Sequence, residues 1–251
     1  MDATDLYILT GSSRGLGLAL AQQLLAPGHT LLCIARHAHE ALADAASRKH
    51  CLLQQWTLDL ADAAAAAQRL HQWLAEQPPR YRSATLINNA AVIPPIAPLS
   101  ALAPQDIAHA LRVDLEAPMA LASAFLAATE DWTVPKRVLN ISSGLGRRPM
   151  AAQATYCAAK AGMDHYTRCL ALEEARKPHG AKVCALAPGV IDTDMQVQLR
   201  GAQAAAFPDR GRFKQLKSQG LLDSPETAAR KVLAYLARAD FGAEPVADVR
   251  G

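Results

Sequence analysis

The sequence predicts an α/β fold, a single doubly wound parallel sheet with helices on both faces, in one domain over residues 1–251. Two observations predict it. Short apolar runs at residues 6–9, 30–34, 52–58, 85–87, 137–141 and 182–186 alternate with Ala/Leu-rich, helix-length stretches at 16–25, 40–47, 61–76, 104–128 and 151–176. Such alternation calls for right-handed crossovers between parallel strands. The runs are also continuously apolar, as strands buried on both faces are. With 51% hydrophobic residues, the chain can bury a sheet on both sides and is not of disordered composition.

The first run ends in Thr10-Gly11-Ser12-Ser13-Arg14-Gly15-Leu16-Gly17. Glycines at 11, 15 and 17 allow a tight turn and leave the N–H groups of the next helix open to a pyrophosphate. A plain strand–helix turn would use the same residues, but its place directly after the first strand favours the nucleotide reading. The second run ends in Ala35-Arg36-His37. An acid here would accept a ribose hydroxyl; Arg36, together with Arg14 in the glycine turn, favours a 2′-phosphate and hence NADP(H), unless Arg36 points to solvent. His37-Ala38-His39 reads as a solvated loop rather than a metal site. Asp59-Leu60 follows the third run, where a side chain reaches the adenine edge, and Asn88-Asn89-Ala90-Ala91 follows the fourth, where small residues permit close approach of a cofactor.

Residues 63–67 are all alanine and read as part of an ordinary surface helix. Pro118, inside 104–128, predicts a kink or break. The fifth run delivers Ser142-Ser143 to its end, and the stretch 151–176 carries Tyr156 and Lys160 on one helical face, four residues apart. After Pro188-Gly189, residues 192–220 turn polar and are punctuated by glycines, the pattern of a substrate lid beside a scaffold. Pro225 opens a last helix, 226–238, with Ser224 as its cap, and residues 245–249 offer an edge strand.

Several classes are excluded. The 26 basic and 23 acidic residues are spread along the chain, which argues against nucleic acid or an anionic membrane as partner. No apolar run approaches the roughly 20 residues of a membrane helix, and Met1-Asp2-Ala3-Thr4-Asp5 lacks the basic start of a secretory leader. Five cysteines without a CxxC pair fit free, mostly buried thiols in a reducing compartment, which points to the cytoplasm. No HExxH spacing suggests a metal.

Chemistry concentrates at Ser143, Tyr156 and Lys160. A lysine cation beside a phenol is expected to lower the tyrosine pKa, giving an acid for a developing alkoxide while a hydride arrives from a nicotinamide. The Ser143 hydroxyl, thirteen residues before Tyr156, is placed to hydrogen-bond the substrate oxygen. A Tyr/Lys pair at this spacing is commonly structural, so its weight comes from the surrounding motifs. TGSSRGLG, NNAA, ISS, YCAAK and PGVIDT, in this order and over nearly the whole chain, resemble the short-chain dehydrogenase/reductase family, a Rossmann-type fold. The resemblance implies Ser143, Tyr156 and Lys160 as catalytic trio. It implies Gly11, Ser13, Arg14, Gly15, Leu16, Gly17, Arg36, Asp59, Leu60, Asn89, Ala90 and Ala91 as cofactor contacts, with Lys160 also on the nicotinamide ribose and Pro188, Gly189, Ile191 and Thr193 at the nicotinamide end. It further implies a homodimer or homotetramer formed through 104–128 and 151–176.

The chain departs from the family at Asp114, where an asparagine supporting a proton-relay water is usual. The carboxylate can hold a water and stabilise cationic Lys160, or it can weaken the acidity of Tyr156. The stretches 156–160, 170–174, 187–196 and 223–228 are most similar to the sepiapterin reductase and bacterial benzil reductase branch, which implies NADPH-dependent reduction of a small ketone beside a second carbonyl. In that branch Asp248, or Glu244, would meet a pterin substrate; a solvated carboxylate is the other reading. Two further functions stay open. One is a 3-oxoacyl thioester (acyl-carrier-protein) reductase, for which Arg200, Arg210, Arg212, Lys214 and Lys217 would form a docking patch; the other is a non-catalytic NADP-binding sensor.

Overall fold

A computed structural model describes residues 4–77 and 81–250; the leader reading of Met1, Asp2 and Ala3 lies outside them. Strands β1 (Thr4–Thr10), β2 (His29–Ala35), β3 (Leu52–Thr57), β4 (Tyr81–Asn88), β5 (Lys136–Ile141), β6 (Lys182–Ala187) and β7 (Val246–Asp248) form one sheet in the order β3-β2-β1-β4-β5-β6-β7. Every neighbouring pair runs parallel. The order reverses between β1 and β4, which opens a crevice beyond the strands' C-terminal ends. The helices are α1 (Gly15–Leu24), α2 (Glu40–Arg48), α3 (Ala63–Ala75), α4 (Pro104–Leu111), α5 (Ala117–Ala128), α6 (Ala154–Glu174), α7 (Asp194–Gly201), α8 (Arg210–Ser218) and α9 (Pro225–Leu236).

The period-two pleat sends alternate strand residues to opposite cores. Leu9, Leu31, Cys33 and Leu186 pack with α1, α2 and α9, while Leu6, Ile8, Leu32 and Val138 pack with α3 and α5. This is the predicted sheet with helices on both faces. β3 differs from its neighbours: at the sheet edge it alternates, with Leu52 60% exposed and Trp56 buried, so it is not buried on both faces. β7 adds the expected strand beside β6. The Ser224 hydroxyl accepts a 3.2 Å bond from the Thr227 N–H and caps α9.

Pro118 breaks the stretch 104–128 as expected, and the break takes a specific form. Residues Arg112–Glu116 make a π turn, in which the Ala117 N–H bonds the Arg112 carbonyl. Proline lacks the N–H that would bond the carbonyl four residues back, that of Asp114, so the helix widens there. The polar stretch 192–220 holds α7 and α8, closed over a small cluster in which Leu199, Phe207 and Phe213 are buried. The Phe207 and Phe213 rings stack at 5.6 Å.

Candidate active site

A cleft of about 810 Å³ lies beyond the strands' C-terminal ends. Every cofactor and catalytic residue expected from the sequence lines it except Asp114, and Asp248 is also absent from the lining.

At the nucleotide end, β1 and the turn after β4 are tied together. The Thr10 hydroxyl accepts bonds from the N–H groups of Asn89 and Ala90 at 2.9 and 3.0 Å, and the Asn89 amide donates to the Thr10 carbonyl at 3.0 Å. The turn is packed without spare room: a Cβ on Gly17 would lie 2.0 Å from the Gly11 carbonyl oxygen and 2.5 Å from Asn89 Nδ2. Gly11 has φ +72, which other residues resist. The bare turn and the free N–H groups at the start of α1 make a cradle that fits a dinucleotide pyrophosphate. Arg14 and Arg36 both reach a recess continuous with this end, and both are exposed. Arg14 is 2.9 Å from Asp194 in an exposed ion pair, a contact that sequence spacing could not reveal. The Asp59 carboxylate accepts from the Ala61 N–H at 2.9 Å, and Leu60 is buried against the core below.

At the other end, Tyr156 and Lys160 project from the first turns of α6 and are buried. Lys160 Nζ donates to the Ile141 carbonyl at 2.9 Å and lies 5.6 Å from the centre of the Tyr156 ring. The expected drop in the tyrosine pKa is not found. Burial pushes the phenol up, the Asp114 carboxylate adds to the rise, and the Ser143 hydroxyl opposes it. Lysine is committed to a backbone carbonyl and faces the ring, so desolvation wins. Burial likewise lowers the Lys160 pKa, while Asp114 and Asp164 pull it back up. The Ser143 hydroxyl accepts from the Leu145 N–H at 3.1 Å.

Asp114 sits behind the cleft wall, in the π turn. One oxygen accepts a 2.8 Å bond from the Val92 N–H, and the other is buried with no partner among the described residues. Burial raises its carboxyl to about 6, against the pull of Lys160 and the Val92 N–H.

Sequence reasoning missed two supporting networks. Asn88 donates to Asn140 at 2.9 Å, and Asn140 donates to Thr167 at 2.9 Å, joining β4, β5 and α6 through buried side chains. Asparagines inside apolar strands were the available signal. Ser142 donates to Asp164, one turn beyond Lys160, whose other oxygen lies 3.8 Å from the Arg147 guanidinium. Arg147 also donates to the Ala247 carbonyl of β7 at 3.4 Å. Asp248 is held by Arg250 at 2.6 and 2.8 Å, and it is Arg250 that faces the cleft.

A parallel sheet with a dinucleotide cradle at its switch point, and a buried Tyr/Lys pair facing it, defines a nicotinamide-dependent oxidoreductase. The short chain dehydrogenase model matches residues 6–204, and the chain belongs to that family. It is 36% identical to benzil reductase ((S)-benzoin forming) of Bacillus cereus, covering 93% of this chain and 94% of the relative. It is 34% identical to sepiapterin reductase of Meriones unguiculatus, covering 93% and 92%. Among solved structures it resembles a protein described as an NAD(P)-dependent gluconate 5-dehydrogenase from Beutenbergia cavernae, which holds NADP at low occupancy. There the TM-score is 0.82 at 26% identity, covering 98% of this chain and 95% of the other. The protein is thus a reductase of the benzil and sepiapterin reductase branch. Among the described residues no helix is long and apolar enough to cross a membrane, and no cluster of His, Cys, Asp and Glu could hold a metal.

Proposed function

We propose that this protein is an NADPH-dependent carbonyl reductase acting on a small ketone or dicarbonyl compound, benzil-like or sepiapterin-like, with Tyr156 as general acid. The observation that carries the reading is the buried Tyr156 phenol, held protonated beside Lys160 and Ser143 at the edge of the cleft. Reduction of a carbonyl needs a proton donor, and a phenol with a raised pKa arrives protonated at neutral pH. The reduced nicotinamide, when bound, supplies the hydride. Ser143 orients the substrate oxygen, Tyr156 gives it a proton, and the phenolate so formed lies near the Lys160 ammonium. Lys160 also binds the nicotinamide ribose, and Pro188, Gly189, Ile191 and Thr193 line the same end. Asp114 returns the proton through a water and keeps Lys160 charged. If Asp114→Asn left both the rate and the pH profile unchanged, that role would be removed.

The preference for NADPH rests on Arg14 and Arg36 at one recess. The exposed Arg14–Asp194 pair is weak enough for a phosphate to displace. Residues 192–220, whose helices α7 and α8 bring Leu199, Phe213 and Leu216 to the cleft, act in this reading as the substrate lid of a single domain spanning 1–251. The thioester alternative needs free cations on that lid: Asp192 pairs with Arg200 and Lys217, which leaves Arg210, Arg212 and Lys214 of that patch without a carboxylate within 4 Å among the described residues. A non-catalytic sensor would have no use for the buried acid. The five free cysteines fit the cytoplasm. The test is Tyr156→Phe: turnover of benzil should fall by about a thousandfold or more while NADPH binding, followed by nicotinamide fluorescence, persists. Equal turnover in the variant would end the proposal.

A further inference from the structure

The basic residues along the cleft fall into two groups. Arg14 pairs with Asp194, Arg200 and Lys217 with Asp192, and Arg250 with Asp248. Beyond the nucleotide end, Arg148 and Arg212 also line the cleft, and neither has a carboxylate within 4 Å among the described residues. Asp209, three residues before Arg212, lines the same cleft without pairing to it. The two arginines come from different elements. Arg148 follows Ser143 in the segment between β5 and α6, and its Nη2 would lie 3.1 Å from a Cβ on Gly144, so the guanidinium covers the residue next to Ser143. Arg212 belongs to α8, beside Phe213 and one turn from Leu216, with Met150 packed against the same apolar cluster.

We propose that the substrate is a carbonyl compound with an apolar body and a carboxylate close to the reacting carbonyl, a 2-oxo acid, and that Arg148 and Arg212 bind that carboxylate. This rests on the carbonyl reductase reading above. With the ketone oxygen at Ser143 and Tyr156, the Arg148 guanidinium over Gly144 stands beside the residue that holds that oxygen, and a carboxylate one bond from the carbonyl carbon would be turned toward it. A planar guanidinium suits a carboxylate bidentately, and an unpaired one at a cleft mouth attracts anions from solution. The apolar body rests on Met150, Phe213 and Leu216. In the step itself the carbonyl carbon gains a hydride, its oxygen gains the Tyr156 proton, and the reduced nicotinamide is oxidised by two electrons. The product is a 2-hydroxy acid.

Benzoylformate and its methyl ester share one ketone and differ in charge, so their ratio of kcat/KM reads the anion site. In Arg148→Gln and in Arg212→Gln the acid-to-ester ratio should fall by about tenfold or more, and the native ratio should shrink as salt is raised. An unchanged ratio in both variants overturns the proposal. A calorimetric titration of benzoate into the NADP-loaded protein keeps the two readings distinct. Binding that is lost in Arg148→Gln supports the anion site even if neither ketone is turned over, and absence of binding to the native protein overturns it even if benzil is reduced.

Discussion

Two buried carboxylates, Asp114 and Asp164, act on one buried lysine, and their inequality sets how this site responds to pH. Each keeps one oxygen without a hydrogen bond among the described residues, but Asp164 accepts from Ser142 and lies 3.8 Å from the Arg147 guanidinium, whereas Asp114 is the more deeply enclosed and has no cation within 4 Å among them. Asp114 therefore carries the larger desolvation burden, and its carboxyl rises from 3.8 to about 6. A raised acid pKa in the folded state means that the protonated form contributes stability that is full below the unfolded value and lost as pH rises through the folded one. Asp114→Asn removes that loss. The variant should gain stability relative to the native protein between pH 4 and 7, by on the order of 2–3 kcal/mol, in denaturant titrations at each pH. A pH-independent difference would mean that Asp114 does not ionise in this range. The Tyr156/Lys160 spacing was legible in the sequence because four residues along a helix fix a shared face. The direction of the tyrosine pKa was not, because it depends on how completely strand ends and the π turn exclude water.

Segments rather than single side chains place these groups. Pro118 removes the donor for the Asp114 carbonyl, and the helix accommodates it as the π turn Arg112–Glu116, which leaves Asp114 facing the cleft wall. Pro118→Ala restores an N–H and should let the helix close, displacing Asp114; kcat with benzil should drop about tenfold with little change in melting temperature. A variant as active as the native protein would show that the proline is not what sets Asp114. In the glycine turn, Gly17→Ala drives a methyl against the Gly11 carbonyl and should abolish NADPH binding in a fluorescence titration. Retained binding would mean that the turn can open. The strands and the proline break were readable from apolar runs and Gly/Pro punctuation. α7 and α8 were not, because three side chains, Leu199, Phe207 and Phe213, hold them in an otherwise polar stretch. The edge character of β3 was hidden for a related reason: an apolar run does not say which strand lacks a neighbour.

Across the whole molecule, the sheet delivers every expected cofactor contact to one end, and apolar side chains stay exposed on α5 and α6. Leu172 on α6 and Met119 on α5 are 73% and 46% exposed, on the stretches proposed to join copies of this chain. Light scattering after size-exclusion should give a dimer or tetramer for the native protein, and Leu172→Glu should shift the mass toward monomer. A native monomer would reject that assembly. The central claim is that this cleft reduces a small dicarbonyl compound with NADPH. It is tested most directly by the rates of NADPH and NADH oxidation with benzil and sepiapterin, alongside an acetoacetyl thioester. NADPH-linked turnover of benzil or sepiapterin, well above that with NADH, is the predicted result. Turnover of the thioester alone, or tight NADPH binding with every carbonyl inert, would contradict it.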